Sequence, residues 1–302
     1  MTFAVTGGTG FVGQALLDLA IAQKRDISAL TRRNQPARAG IAWVNGDLAA
    51  HDALARLTQG ASAVIHIAGV VNAPDAQGFH SGNVAGTQAV VNAAREAGAT
   101  RFVHVSSLAA REPGLSQYGH SKRLAEEVVQ TSGLDWTIVR PPAVYGPRDT
   151  EILELFKAAR WGVVPMPPPG HASIIHVDDL ARLLLILAEP ETSAGQRIFE
   201  PDDGREGGWS HRELARAIGA AVGRPVWAPH VPESLLKGAA RVDRLVRGKK
   251  AKLTPDRASY MAHPDWTSSP DRRVPPQLWR AQIDTPQGLA ATARWYREQG
   301  WL

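Results

Sequence analysis

Cysteine is absent from the 302-residue sequence. Disulfides, zinc sites built from thiolates and cysteine nucleophiles are therefore excluded. No apolar run approaches the roughly 20 residues that a membrane-spanning helix needs, and no charged-then-apolar leader precedes the first predicted strand. We therefore expect a cytoplasmic protein, and we assign no metal-ligating residue.

A glycine-rich turn stands where the first predicted strand meets the first predicted helix. The apolar residues Phe3–Val5 lead into Gly7, Gly10 and Gly13, spaced G-x-x-G-x-x-G. Glycine allows a tight turn and lets a pyrophosphate lie against bare backbone. The helix start then offers unpaired N–H groups and a positive dipole end to the phosphates. The turn predicts a dinucleotide site formed by Gly7, Thr9, Gly10, Phe11, Val12 and Gly13.

Strands and helices alternate up to about residue 145. The predicted strands are Phe3–Val5, Ile27–Leu30, Ile41–Val44, Ala63–Ile67, Phe102–Val105 and Trp136–Val139. The predicted helices cover residues 12–22, 50–59, 83–97 and 117–132. Strands joined by helical crossovers imply a doubly wound parallel sheet, whose ligand lies beyond the carboxyl ends of the strands.

Beyond about residue 147 proline becomes more frequent and the alternation ends. Helices are predicted from about Leu180 to Ala188, over 210–222 and over 286–299. A chain of 302 residues is long enough for a Rossmann domain and a modest second lobe. We expect an α/β chain with a Rossmann nucleotide-binding domain over 1–147, joined by part of 170–200, and a smaller α/β substrate lobe over 148–302.

Tyr118 and Lys122 are four residues apart, so they share one face of a predicted helix. A tyrosine with an ordinary pKa of about 10 is a weak base at neutral pH, but a nearby ammonium favours the phenolate. Ser106 and Ser107 end the preceding strand, where a hydroxyl can bind a substrate oxygen. The tyrosine–lysine spacing is common on surface helices, but its position after these serines and the glycine turn makes it an acid–base candidate.

Eight short motifs follow one another along the chain. They are Thr6–Gly13, Gly46–Leu48, His66–Gly69, Asn83–Thr87, Val105–Ser107, Tyr118–Lys122, Arg140–Pro147 and His176–Asp179. In this order they resemble the extended short-chain dehydrogenase/reductase superfamily, of the NAD-dependent epimerase/dehydratase and 3β-hydroxysteroid dehydrogenase kind. The resemblance covers essentially the whole chain.

The resemblance implies roles for particular residues. Tyr118 would be the general acid/base, Lys122 its electrostatic partner, and Ser107, rather than Ser106, the group that binds the reacting oxygen. The cofactor would further contact Asp47, Leu48, Ala68, Gly69, Tyr118, Lys122, Pro142 and Val144. For Asn83, His176 and Asp179, a structural role and a direct role fit the sequence equally well. The family also suggests a homodimer that pairs through the helices at 83–97 and 117–132.

The segment after the second strand bears on the choice of cofactor. NAD-preferring sites place a carboxylate there to bind the ribose 2′-hydroxyl. This chain has Arg32 and Arg33 instead, and guanidinium groups suit a 2′-phosphate. We therefore predict NADP(H), with NAD(H) as the alternative if both arginines simply face solvent.

Three functions remain open at this stage. Family 4,6-dehydratases carry an acidic pair where this chain has Leu108 and Ala109, which argues against dehydration. The loop 163–169 and the tryptophans Trp161, Trp209 and Trp227 suit an apolar substrate, although tryptophan is more often a core residue. We favour a reductase or dehydrogenase for a ketone or secondary alcohol of a hydrophobic or mid-sized metabolite. The alternatives are a nucleotide-sugar epimerase with retained NAD and a non-catalytic NADP(H)-binding accessory or sensor protein.

The net charge of +5 is unevenly distributed. Between Lys237 and Arg257 eight residues are basic, and only Asp243 and Asp256 are acidic. The interleaved apolar residues predict a basic amphipathic helix. The plain interpretation is a solvated basic face of the second lobe; the alternative is weak contact of 235–257 with a membrane surface or an anionic substrate. Aromatic residues do not alternate with this run, which argues against nucleic-acid binding.

Overall fold

The computed structural model describes residues 2–192, 194–248 and 253–302. These residues form two compact units. The first unit runs to Arg140 and includes Leu180–Phe199, and the second comprises Pro141–Asp179 and Glu200–Leu302. Lys249, Lys250 and Lys252 of the basic run lie outside the described residues.

The helices and strands are numbered in chain order. The strands are β1 (Thr2–Thr6), β2 (Asp26–Thr31), β3 (Ile41–Asn45), β4 (Ala63–His66), β5 (Arg101–Val105), β6 (Asp135–Val139), β7 (Ala143–Tyr145), β8 (His171–Ala172), β9 (Ile174–His176), β10 (Arg197–Phe199), β11 (Trp209–Ser210) and β12 (Asp265–Trp266). The helices are α1 (Phe11–Ala22), α2 (His51–Thr58), α3 (Ala76–Phe79), α4 (Gly86–Glu96), α5 (Gln117–Gln130), α6 (Leu153–Arg160), α7 (Val177–Ala188), α8 (His211–Val222), α9 (Glu233–Arg247), α10 (Pro255–Met261) and α11 (Thr285–Glu298).

The first unit is built on a seven-stranded sheet with the order β10-β6-β5-β4-β1-β2-β3. Every neighbouring pair is parallel. Because β1 pairs with both β2 and β4, the strand order reverses beside β1, which is where doubly wound sheets bind their ligands. The predicted Rossmann-type α/β fold is confirmed, and the six strands expected before residue 140 correspond to β1–β6.

Both faces of the sheet are buried at β1, one of its interior strands. In β1, the successive residues Phe3, Ala4 and Val5 are each fully buried, although their side chains point alternately to opposite faces. Ala4 belongs to a core cluster with Leu54 of α2 and Val90 of α4. The helices therefore cover the sheet by apolar packing, which leaves the loops at the strand ends to form a site.

The helix predicted over 83–97 has two parts in the structure. A π-helical turn covers His80–Ala85, and α4 begins only at Gly86. A π turn carries one extra residue per turn, and such turns are frequent at functional sites. Periodicity alone does not distinguish a π-helical turn from an ordinary helix, so the sequence predicted one continuous helix here.

The second unit contains a three-stranded sheet, β11-β8-β12, and the two-stranded sheet β7-β9. Its core includes Phe156 of α6, Ile218 of α8 and Tyr296 of α11. Residues 141–147, which we had assigned to the nucleotide-binding domain, belong to this unit. The reason is that β7 pairs with β9 rather than extending the central sheet.

The basic run does not form one continuous helix. Helix α9 ends at Arg247, and α10 begins at Pro255. Proline suits the first turn of a helix, where its missing N–H is not needed, so it marks the start of α10. Thr254 caps that start by accepting a hydrogen bond from the Arg257 backbone N–H, 3.1 Å away.

Candidate functional site

The glycine turn connects β1 to α1. A Cβ atom on Gly13 would lie 2.1 Å from the Gly7 carbonyl oxygen, so only glycine lets the helix approach the turn this closely. Gly10, the N-cap residue of α1, provides no side chain to occupy the free N–H groups, and the first turn of the helix has no acidic side chain. The start of α1 therefore presents unblocked N–H groups and a positive dipole end, as a phosphate requires.

The loop after β4 lies directly against this turn. A Cβ atom on Gly7 would come within 2.6 Å of the Ala68 backbone nitrogen. The Ala68 N–H also donates to the Thr6 hydroxyl at 3.3 Å. The structure therefore places Ala68 beside the glycine turn, with the exposed Gly69 next along the chain, and the contact of both residues with a cofactor stays a prediction.

Lys122 is buried at the neighbouring strand end. Its Nζ donates a 2.8 Å hydrogen bond to the carbonyl oxygen of Val105, the last residue of β5. A Cβ atom on Gly69 would lie 3.6 Å from the same Nζ. Burial lowers the pKa of Lys122 to about 8, and the nearby Glu126 carboxylate opposes that shift. A titratable ammonium is thus held between the end of β5 and the loop beside the glycine turn.

Asn83, in the π-helical turn, fixes the loop that carries Gly69. Its side-chain oxygen accepts from the Val70 N–H at 2.7 Å, and its amide group donates to the Val70 carbonyl at 3.0 Å and to the Ser121 hydroxyl at 2.9 Å. It therefore ties this loop to α5 one residue before Lys122. The sequence motif contained Asn83 but did not reveal these three contacts.

Tyr118 lies in the first turn of α5. Ser116 caps this helix by accepting from the Gly119 N–H at 2.9 Å. A Cβ atom on Gly119 would lie 2.6 Å from the Ala109 carbonyl oxygen, so the glycine lets the helix start approach the segment after Ser107. The half-buried Tyr118 ring packs against Phe79, with 6.1 Å between ring centroids.

The two strand-end serines have different environments. Ser106 is buried, and its hydroxyl donates to the Glu126 carboxylate. Ser107 is half-buried and accepts a 3.2 Å hydrogen bond from the Ala109 N–H. The Ser106 hydroxyl is therefore committed to the interior, and Ser107 is the serine with access to a ligand.

The Ser106 contact belongs to a buried ion-pair network that no sequence motif indicated. Arg140 binds both oxygens of Glu126, with Nε and Nη2 at 2.8 and 2.6 Å. The Arg140 and Glu126 side chains are 2% and 0% exposed. The network links the end of β6 to α5 one helical turn after Lys122, and thereby fixes the helix that carries Tyr118 and Lys122.

His66 is a further buried titratable group near Lys122. Its ring nitrogens contact the hydroxyls of Thr6 and Thr87, at 2.6 and 2.9 Å. Burial, and secondarily the charge of Lys122, lowers the pKa of His66 to about 3. The ring is neutral at physiological pH, so it is a structural link rather than an acid–base group.

The residues expected at the adenosine end follow β2 and β3, which are adjacent strands. Arg32 and Arg33 are exposed directly after β2. Asp47 is exposed after β3 and accepts from the Ala49 N–H at 2.9 Å, while Leu48 packs against the core. Both loops thus leave the same carboxyl edge of the sheet as the glycine turn.

Pro142 and Val144 lie in the second unit. Val144 is part of β7 and pairs with β9. Their contact with a cofactor stays a prediction, as does the role of the second unit in substrate binding.

His176 and Asp179 also have structural contacts within the second unit. The Asp179 carboxylate accepts from the backbone N–H groups of Gln282 and Ile283, at 3.0–3.1 Å. His176 packs edge-on against the Tyr145 ring, with centroids 5.1 Å apart. These contacts give both residues a structural role, and a direct role in binding stays a prediction.

Across the described ranges of the chain, no group of three or more His, Cys, Asp or Glu residues is arranged to hold a metal ion. Among the described residues, no helix is long and apolar enough to cross a bilayer.

Comparisons with known proteins point to one family. Residues 3–200 match the model of the NAD-dependent epimerase/dehydratase family. A ceramide reductase of Caulobacter vibrioides is 37% identical over 99% of this chain and 95% of its own length. A 2-alkyl-3-oxoalkanoate reductase of Stenotrophomonas maltophilia is 30% identical over 90% of this chain and 93% of its own length. A dTDP-glucose 4,6-dehydratase from Streptomyces venezuelae, whose crystal structure has NAD bound, is 25% identical in sequence. Its structure matches with a TM-score of 0.73 and covers 100% of this chain and 98% of its own.

Proposed function

Because the chain belongs to the NAD-dependent epimerase/dehydratase family of extended short-chain dehydrogenases/reductases, we propose that it is a nicotinamide-dependent reductase. Its substrate is a ketone carried by a long-chain, lipid-like molecule, and its product is the secondary alcohol. The observation that carries the proposal is the position of the Lys122 ammonium between the end of β5 and the Gly69 loop, on the helix that bears Tyr118. This is the arrangement that carbonyl reduction needs beside a dinucleotide.

The residues present fit a nicotinamide dinucleotide. The free N–H groups at the start of α1 suit the pyrophosphate, and the Cβ-free surface of the glycine turn leaves room for it. Asp47 and Leu48 would hold the adenine, and Ala68 and Gly69 would line the pocket. When bound, the nicotinamide supplies the hydride that reduces the carbonyl carbon.

The chain itself supplies polarisation and a proton. The Ser107 hydroxyl donates to the carbonyl oxygen and makes the carbon more electrophilic. The Tyr118 hydroxyl transfers its proton to that oxygen as the alcohol forms, and the Lys122 ammonium stabilises the phenolate that remains. One ketone, one reduced nicotinamide and one proton thus give one alcohol and one oxidised nicotinamide.

Two observations support a lipid-like ketone over a nucleotide sugar. The two reductases described above are named for ceramide and for an alkyl-substituted 3-oxoalkanoate, which are molecules with hydrocarbon chains. After Ser107, the positions where family dehydratases carry acidic groups are occupied by Leu108 and Ala109, both buried. No side chain there can protonate a leaving hydroxyl group.

The proposed function is tested by identifying the retained nucleotide and the substrate. We expect purified protein to release no stoichiometric NAD on denaturation, and to oxidise NADPH when given long-chain 3-oxo lipids in detergent micelles. Stoichiometric NAD together with epimerisation of a UDP-sugar would instead identify an epimerase. Failure to bind either reduced nucleotide would favour a non-catalytic role.

NADP(H) is the proposed cofactor because Arg32 and Arg33 are exposed where NAD-preferring sites carry an acid, and residues 31–40 contain none. Replacing both with alanine should weaken NADPH binding by about a hundredfold or more, since each charge-assisted hydrogen bond contributes about 1.5–3 kcal/mol and two arginines are lost. NADH affinity should stay nearly unchanged. Titration of both nucleotides by fluorescence gives the ratio of dissociation constants.

Arg38→Ala is a matched control for that experiment. Arg38 lies in the same loop, but its guanidinium pairs with Asp18 at 2.6 Å. Its loss removes one positive charge without removing a proposed phosphate ligand. If the Arg32→Ala/Arg33→Ala variant keeps the wild-type ratio of NADPH to NADH affinity, the assignment of NADP(H) through these arginines is wrong.

A further inference from the structure

Helix α9 exposes its apolar side. Leu235, Val242, Leu245 and Val246 are 63%, 59%, 86% and 77% exposed. At about 100° per residue, these four positions fall within an arc of roughly 100° on one side of the helix. A surface helix normally turns such a stripe toward the core. Here it faces outward.

The opposite side of α9 supplies the attachment to the second unit. Ala240 is fully buried, and Leu236 and Asp243 are half-buried. The Asp243 carboxylate also accepts from the Leu253 N–H at 2.9 Å, which ties this side of α9 to the chain just before α10. The exposed stripe is therefore not a core face that lacks its neighbour, because the helix is already anchored through its other side.

The segment that contains the stripe carries an excess of positive charge. Residues 233–252 contain seven basic and two acidic side chains, and their net charge of +5 equals the formal net charge of the whole chain. Both acids are paired within the helix, Glu233 with Lys237 at 2.6 Å and Asp243 with Arg247 at 3.2 Å. The formal charges of the remaining residues sum to zero, so the net positive charge of the chain comes from this segment, which favours attraction to an anionic surface.

Two tryptophans of the second unit are also exposed. Trp161 and Trp227 are 84% and 69% exposed, whereas Trp209 is buried, so the core interpretation holds for Trp209 alone. The backbone N–H of Trp227 donates to the Gly162 carbonyl at 2.8 Å, which holds together the two short segments that carry the tryptophans. Arg224 is fixed beside them by its hydrogen bond to the Arg160 carbonyl. Tryptophan next to arginine is typical of residues at a membrane–water interface.

The tryptophan segment leads directly into α9. After Trp227, the chain is held by hydrogen bonds from Met166 N–H to the Pro229 carbonyl and from Val231 N–H to the Met166 carbonyl, at 3.0 and 2.8 Å. Pro232 then precedes the first residue of α9. An ordered connection of four residues therefore separates Trp227 from Pro232.

We infer that the outward stripe of α9, together with the basic residues of the same segment and with Trp161 and Trp227, docks the protein on the surface of an anionic phospholipid bilayer. The apolar side chains enter the boundary between headgroups and acyl chains, and the basic residues bind lipid phosphates. No described helix is long enough to cross the bilayer, so the contact is interfacial.

The charge argues against a second copy of this chain as the occupant. In a symmetric dimer each copy presents the same patch to the other. Two segments that each carry a net charge of +5 would then be brought close together, and like charges oppose association. An anionic membrane can take up the apolar side chains of the stripe and also attract the positive charge of the segment.

The docking surface does not depend on the proposed reaction, and the test separates the two. Full-length protein is sedimented with phosphatidylcholine vesicles, with and without phosphatidylglycerol, at low and high salt. We expect strong binding to the anionic vesicles, weak binding to the neutral ones, and loss of binding at high salt. The Tyr118→Phe variant should bind vesicles like wild type, even if it has lost activity.

The decisive variant is Leu245→Glu/Val246→Glu, which should lower the partition onto anionic vesicles by roughly tenfold or more. Both positions are exposed, so the fold should be retained, and thermal unfolding checks this. Val71→Glu is the matched control, because Val71 is an equally exposed valine (68%) outside α9. Three results would overturn the inference: no binding of wild type to anionic vesicles, unchanged binding of the double variant, or conversion of a dimer to a monomer in the double variant without vesicles.

Discussion

Replacing Tyr118 with phenylalanine is expected to lower kcat for ketone reduction by about two to four orders of magnitude, which is the usual contribution of a positioned general acid. The substitution removes only the hydroxyl oxygen. The ring that packs against Phe79 remains, and the Ser121 hydroxyl still donates to the backbone carbonyl of residue 118, at 2.8 Å in the wild type. The helix should therefore keep its position, and nucleotide affinity should change little.

A second Tyr→Phe substitution provides the control. Tyr260 lies in α10, and its ring packs against Trp266 with centroids 4.9 Å apart. Burial raises its pKa, so its hydroxyl is poorly suited to proton transfer near neutral pH. Tyr260→Phe should keep kcat close to wild type. If Tyr118→Phe retains kcat within about threefold of wild type, Tyr118 is not the acid and the proposed mechanism is wrong.

Replacing Arg140 with methionine is expected to destabilise the first unit by about 3–5 kcal/mol, the usual effect of removing one partner from a buried ion pair. Glu126 would lose both guanidinium hydrogen bonds while its side chain remains fully buried. The Ser106 hydroxyl would then be its remaining partner in the network described above. The midpoint of unfolding in urea, followed by circular dichroism, measures the loss.

The chain contains a matched surface pair for comparison. Arg123 and Glu127 lie on the same helix, four residues apart, with 3.3 Å between their charged atoms, but both side chains are about half exposed. Arg123→Met should change stability by about 0.5 kcal/mol or less. The double variant Arg140→Met/Glu126→Leu should recover much of the loss, because no uncompensated charge remains buried. Equal effects of Arg140→Met and Arg123→Met would show that the buried pair contributes no more than a surface pair.

The fold was predictable because its signals are local. Apolar runs of strand length alternate with segments of helical periodicity. The turn after β1 requires glycine, because the close approach of the backbone leaves no room for a side chain. The same locality identified Tyr118 and Lys122, since a four-residue spacing on one helix is a property of the sequence.

What the sequence did not reveal depends on contacts between distant segments. Glu126 looks like any helical glutamate, and only its meeting with Arg140 makes it a buried ion pair. Asn83 is similar, because its role follows from contacts with Val70 and Ser121. The outward direction of the α9 stripe was equally hidden, since periodicity gives the faces of a helix but not which face is buried.

The buried ammonium of Lys122 links the stability of the first unit to proton binding. With a pKa of about 8 in the folded chain, against an ordinary 10.5, the folded protein holds this proton less tightly than the unfolded chain does. At neutral pH both states are protonated, and burying the charge costs about 3 kcal/mol. As pH rises from 8 toward 10.5 the folded state releases the proton first, so the contribution of Lys122 to the free energy of unfolding becomes less destabilising. A ligand atom that accepted a hydrogen bond from Nζ would raise the pKa of Lys122 in the folded chain, so binding of such a ligand and proton uptake at Lys122 would favour one another.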